Sequence, residues 1–73
     1  DGYAVRDVEA IPGRRLKVVG EAPAGHHWPG TIGPGEALRI FTGAPLPNGT
    51  DRVVIQEDVT RDGDRITLGR NLA

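Results

Sequence analysis

No cysteine, methionine or serine occurs in these 73 residues, and each aromatic side chain appears once, as Tyr3, Trp28 and Phe41. Without cysteine there is no disulfide staple and no thiolate to hold a structural metal, a composition compatible with a reducing cytoplasm, the compartment expected here. Without serine or cysteine, hydrolysis by a triad lacks its usual nucleophile. No apolar run approaches the ~18 residues of a membrane span, and Asp1-Gly2-Tyr3 does not open a signal peptide. Nine basic against ten acidic side chains give a net charge of −1, so no strong field draws nucleic acid or anionic lipid.

What the chain has instead is eleven glycines and six prolines, which put much of it into turns. Hydrophobic residues make up 37%, mostly Val, Ile and Leu, enough for one thin core at a length that buries about 60–65% of the unfolded surface. Residues 1–73 are therefore expected to form a single β-rich domain. A chain that starts at Asp1 and has so small a core is expected to be a portion of a longer, multidomain protein or to lean on a partner.

Short β-prone runs follow one another between turn signals. Residues 1–8 read as an extended segment with Tyr3 and Val5 on one face and Ala4 and Arg6 on the other, and residues 7–15, with Pro12-Gly13, as a linker or wide loop. Residues 16–22 form a second strand, and residues 23–30, rich in Gly and Pro, a mobile loop. Leu38, Ile40 and Thr42 alternate with Arg39 and Phe41 in a third strand that Gly43, Pro45 and Pro47 bring to an end. A single helical turn over residues 35–38 stays open as an alternative at its start. Asn48-Gly49 signals a tight turn before a strand over residues 52–57, and Asp62-Gly63-Asp64 joins the arms of the last hairpin. The fold expected is all-β, five or six short strands in small curled sheets or a partly open barrel, forms that hide strand edges.

Strand exits followed by rigid turns favour sites, so the Thr42 hydroxyl and the N–H of Gly43 are the first candidates, Thr42-Gly43-Ala44 being a small cradle for an oxyanion. Asp1 offers a carboxylate beside a glycine, with a solvated residue as the plainer reading. His26 and His27 are adjacent imidazoles with no third ligand at a recognisable spacing, which favours surface residues over a metal site. Asp62 and Asp64 fit simple turn residues. Glu57 and Asp58 point to opposite faces of a strand and serve one metal only if the strand has already ended.

Several stretches together resemble a known family. Asp1-Gly2-Tyr3-Ala4-Val5, Val19-Gly20-Glu21, Pro34-Gly35-Glu36-Ala37-Leu38-Arg39-Ile40-Phe41-Thr42-Gly43-Ala44-Pro45-Leu46-Pro47 and Gly49-Thr50-Asp51-Arg52-Val53-Val54-Ile55-Gln56-Glu57-Asp58 are similar, in order, to the N-terminal region of the molybdopterin molybdenumtransferases, the MoeA and gephyrin E-domain family. The resemblance implies the β-rich domain of a homodimeric enzyme of molybdenum cofactor biosynthesis. Such an enzyme inserts molybdate into adenylylated molybdopterin with release of AMP and needs a divalent cation, usually Mg²⁺. It also implies molybdopterin adenylyltransferase as an upstream partner. By resemblance, Asp1 takes the position of an essential Asp that binds the cation, and Thr42, with Gly43, that of an active-site Thr. The family often has Gly-Ala-Asp-Ala-Val-Val where this chain has Gly49-Thr50-Asp51-Arg52-Val53-Val54. A non-catalytic role as a dimer-contact or scaffold module is the alternative, and the fragment alone is expected to be inactive.

Overall fold

A computed structural model describes residues 1–72. Six strands make one sheet: β1 (Gly2–Val5), β2 (Arg15–Ala22), β3 (Glu36–Ile40), β4 (Arg52–Ile55), β5 (Val59–Asp62) and β6 (Arg65–Leu68). Their spatial order is β4-β1-β3-β2-β6-β5, and every pairing is antiparallel except that of β2 with β3. The only helical elements among the described residues are two 3-10 turns, Asp7–Glu9 and Gln56–Asp58. The all-β class expected from the sequence is the one observed.

The strand order forces the sheet to curl. Its edge strands β4 and β5 are joined through Gln56–Asp58 alone. Six strands laid flat would hold those edges about 24 Å apart, whereas four Cα steps reach at most about 15 Å. The sheet therefore bends into a half-barrel with its two free edges brought together at the 3-10 turn.

Curling gives the sheet an inside and an outside, and alternation sorts the apolar residues between them. Tyr3, Val5, Leu16, Val18, Ala37, Val54, Ile66 and Leu68 pack together inside. Ala4, Leu38 and Ile40 point the other way and pack with Ala22 and Ile32. In β2 the two sets do not follow one parity: Val18 faces Ala37, but Glu21 faces Arg39, so two residues of β2, Val19 and Gly20, oppose the single Leu38 of β3. This bulge swaps the faces, sending Leu16 and Val18 inside and Ala22 outside.

Two features depart from the sequence reading. Residues 23–30, expected to be a mobile loop, belong with residues 31–35 to the crossover that a parallel β2/β3 pair requires, which lays Ile32 and Trp28 over the outer apolar cluster. Gly20, at the bulge, leaves room for the indole, since a Cβ there would lie 2.5 Å from the Trp28 ring. Asn48-Gly49 makes the tight turn expected, closed by the bond from Thr50 N–H to the Pro47 carbonyl at 3.2 Å, and the strands on either side of it are not neighbours, because β1 inserts between β3 and β4. Glu36 to Ile40 is strand, so the helical turn over residues 35–38 is absent, and the strand expected over residues 52–57 stops at Ile55.

The wide loop after β1 is tied down by a buried acid. Glu9 is 8% exposed. Its two carboxylate oxygens accept the N–H of Gly35 at 3.2 and 2.9 Å and pair with Arg6 and Arg14 at 3.6 Å each. A charge so placed fastens the turn that launches β3. In the last hairpin only Gly63 of the two turn residues has a positive φ, 62°, so Gly63-Asp64 turns the chain in the manner of a type II′ turn while Asp62 closes the ladder opposite Arg65.

Candidate functional site

Antiparallel register brings the two sequence candidates to one end of the sheet. Gly2 lies opposite Ile40, so the chain entering β1 and the chain leaving β3 meet just beyond that pair. After Ile40 the backbone turns back: Ala44 N–H donates to the Phe41 carbonyl at 2.9 Å, and Gly43 has φ 92° in the third position, as a type II turn demands. That reversal hangs Thr42 over Asp1. Both the amide and the hydroxyl of Thr42 donate to Asp1 Oδ1, each at 3.1 Å.

Asp1 is held from its other side as well, its carbonyl accepting the N–H of Gln56 at 3.1 Å. Gly2 is required beside it, because a Cβ there would collide with the Val54 carbonyl of the neighbouring strand. A cavity of about 260 Å³ opens at this end, lined by Asp1, Gly2, Thr42 and Gly43 with an apolar wall that includes Phe41 and Val53.

The donors are arranged differently from an empty oxyanion cradle. Thr42 N–H is turned onto Asp1 and Ala44 N–H closes the turn, so of the three amides only that of Gly43 makes no bond with the described residues. An anion entering here would compete with a carboxylate for the same Thr42 donors. What the site offers directly is oxygen: Asp1 Oδ2, in no hydrogen bond with the described residues, and the lone pairs of Thr42 Oγ1. Hard oxygen donors suit Mg²⁺, which keeps several waters and takes one or two carboxylates plus substrate oxygens. Among the described residues no group of three or more His, Cys, Asp or Glu side chains converges, so a cation here would draw its remaining ligands from water and from whatever is bound beside it.

The other acidic and imidazole candidates lie elsewhere. His26 and His27 are exposed, with His26 Nδ1 3.1 Å from the Ala24 carbonyl. Asp62 and Asp64 stay at the hairpin tip. Glu57 and Asp58 sit in the 3-10 turn after β4, where the strand has ended, yet they join no acidic cluster.

Sequence reasoning passed over Arg39, which it placed only on the strand face opposite Leu38 and Ile40, the face it shares with Tyr3 across the β1/β3 pair. Its guanidinium donates to the Gly2 carbonyl at 3.1 Å, to the Ile40 carbonyl at 3.2 Å and to Gln56 Oε1 at 2.8 Å. It also lies 4.5 Å from the Phe41 ring centroid and 5.3 Å from that of Tyr3. A lone arginine inside an apolar strand is a signal, since a cation half-buried there needs partners.

The run of strands that frames this end of the half-barrel has counterparts among known proteins. A family model described as the MoeA N-terminal region, domain I and II, matches residues 1–72. The chain belongs to this family. It is 46% identical over 73 aligned residues to a molybdopterin molybdenumtransferase of Nostoc sp., the alignment covering 93% of this chain and 17% of that protein. A molybdopterin molybdenumtransferase of Haemophilus influenzae is 43% identical over 68 residues, with 88% and 16% covered. Among solved structures, a molybdopterin biosynthesis MoeA protein from Pyrococcus horikoshii superimposes on all of this chain and on 21% of its own, with a TM-score of 0.89 at 35% identity. This MoeA-family chain thus spans about a sixth of the length of the curated relatives it matches. No helix among its described residues is long and apolar enough to cross a membrane.

Proposed function

We propose that this chain forms one wall of the cleft in which a cytoplasmic molybdopterin molybdenumtransferase inserts molybdate into adenylylated molybdopterin and releases AMP. The observation that carries the reading is the contact of Asp1 with Thr42, two polar groups from distant parts of the sequence set at the mouth of one cavity. Asp1 Oδ1 fixes the rotamer of Thr42, and Asp1 Oδ2 stays available to a cation or to a water in its shell. Mg²⁺, when bound, would supply neutralisation of phosphoryl oxygens. Thr42 Oγ1 reaches both ways: it donates to Asp1 at rest and is free to rotate its hydrogen onto a molybdate or phosphoryl oxygen, with Gly43 N–H as a second donor. Phe41 and Val53 give the cavity an apolar wall that lowers the local dielectric around these bonds.

Two oxygen-bearing side chains do not make a complete centre, so the remaining groups come from a second subunit and from parts of the protein outside this chain, and molybdopterin adenylyltransferase supplies the substrate. The chain by itself is accordingly inactive. In the full-length protein, Thr42→Val and Asp1→Asn are expected to lower AMP release at least about tenfold, the order of effect of losing one transition-state hydrogen bond. Unchanged AMP release in both variants would remove this site from the reaction. A second reading, a non-catalytic dimer-contact or scaffold module, is favoured by the edge strand β4, where Val53 and Ile55 are 43% and 52% exposed. AMP release that depends on Thr42 separates the two.

A further inference from the structure

The one half-buried arginine near the site has no carboxylate among its partners: within the described residues Arg39 makes no ion pair, and its bonds go to two main-chain carbonyls and one amide oxygen. Each anchor adjoins Asp1 or Thr42 in the chain or through a main-chain bond. Gly2 follows Asp1 in the chain. Gln56, whose side chain accepts from one end of the guanidinium at 2.8 Å, holds the Asp1 carbonyl through its own N–H at 3.1 Å. Ile40 and Phe41 immediately precede Thr42, one bonded to Arg39 through its carbonyl and the other stacked against the guanidinium at 4.5 Å.

One planar cation therefore ties together the start of β1, the end of β3 and the 3-10 turn at Gln56–Asp58, the three segments whose ends converge on the cavity. We propose that Arg39 is the positioning residue of the Asp1 and Thr42 pair. It sets their 3.1 Å approach through the backbone on either side of them and touches neither side chain. The role needs arginine in particular, because the fork reaches two carbonyls with one nitrogen and an amide with the other while its face lies on a ring. Lysine, a point charge, reaches one of these partners at a time. The kinetic consequence of this proposal rests on the molybdate-insertion reading, whereas its geometric content does not.

The test is made in the full-length protein that carries this chain. The Thr42 backbone amide proton reports its bond to Asp1, and Asp1→Asn, which replaces the charged acceptor, supplies the reference position for a weakened bond. In Arg39→Lys the Thr42 amide resonance is expected to move at least halfway to that reference, with kcat for AMP release down at least tenfold and KM for adenylylated molybdopterin within threefold. In Arg39→Ala, millimolar guanidinium is expected to bring the resonance back and to recover part of kcat, which a general loss of stability would not allow. A wild-type Thr42 resonance in folded Arg39→Lys overturns the proposal, whatever happens to the rate. A shifted resonance with an unchanged rate upholds the positioning and instead overturns the assignment of the reaction to this site. If Arg39→Lys does not fold, Gln56→Leu, which removes only the 2.8 Å contact, is read by the same resonance, and an unshifted Thr42 there overturns the proposal.

Discussion

Replacing Ile32 by alanine tests the most consequential difference between a glycine-rich loop and a packed crossover. Ile32 is 2% exposed and belongs to the outer cluster with Ala4, Ala22, Leu38 and Ile40. Truncation to alanine removes three buried carbons, about 2.4 kcal/mol of transfer energy at ~0.8 per carbon. The cavity left behind raises the total to about 3–4 kcal/mol. A domain of this length has roughly 4–11 kcal/mol in all, so the loss is a large share of it. In urea, with a slope near 1 kcal/mol per molar, the unfolding midpoint should fall by about 3 M. Trp28, the one tryptophan, packs against the same cluster, so its fluorescence follows the transition directly. Ile32→Val should cost only about 0.5–1.5 kcal/mol and keep the transition measurable if the alanine variant is too unstable. A midpoint within 0.5 M of the original for Ile32→Ala, the behaviour of an exposed loop residue, would refute the packing of the crossover.

Two glycines with positive φ should respond differently to alanine. Gly63 has open space around it, so Gly63→Ala should cost about 1–2 kcal/mol from backbone conformation alone, whereas a Cβ at Gly49 would run into the Ile32 carbonyl and should cost clearly more, both read from thermal unfolding. Glu9→Ala strips the Gly35 N–H of its acceptor and leaves Arg6 and Arg14 without their partner, an expected loss of about 1–3 kcal/mol. Glu9→Gln keeps an acceptor oxygen and should recover about half of that in the same assay. Equal losses in the two Glu9 variants would mean that the charge pairs, rather than the bond to Gly35, hold the turn.

Much of the architecture was legible because local chemistry and final structure agree. Alternation in Tyr3-Ala4-Val5 and in Leu38-Arg39-Ile40 assigned faces that the two clusters keep. The Asp62-Gly63 turn placed the β5/β6 hairpin, since a two-residue loop fixes register by itself. Asp1 and Thr42 were singled out by motif, but nothing in their spacing of forty-one residues shows that they touch; the pairing of Gly2 with Ile40 does that. The helical turn considered over residues 35–38 failed for a related reason: the start signal of Pro34 and Glu36 is local, and the edge of β2 offered Glu36 and Ala37 a ladder.

What the sequence determines by itself is what one residue or one turn decides: strand-prone stretches, the faces of strands without a bulge, the positions that need glycine, and the β class. What only the tertiary structure decides is which strands become neighbours. Pairing is a long-range property, with β1 slipping between β3 and β4 and a parallel β2 beside β3, and no local preference encodes it. The same reason hid the role of Arg39, whose partners Gly2 and Gln56 are far away along the chain and reach its guanidinium only once β1 has paired with β3 and β4.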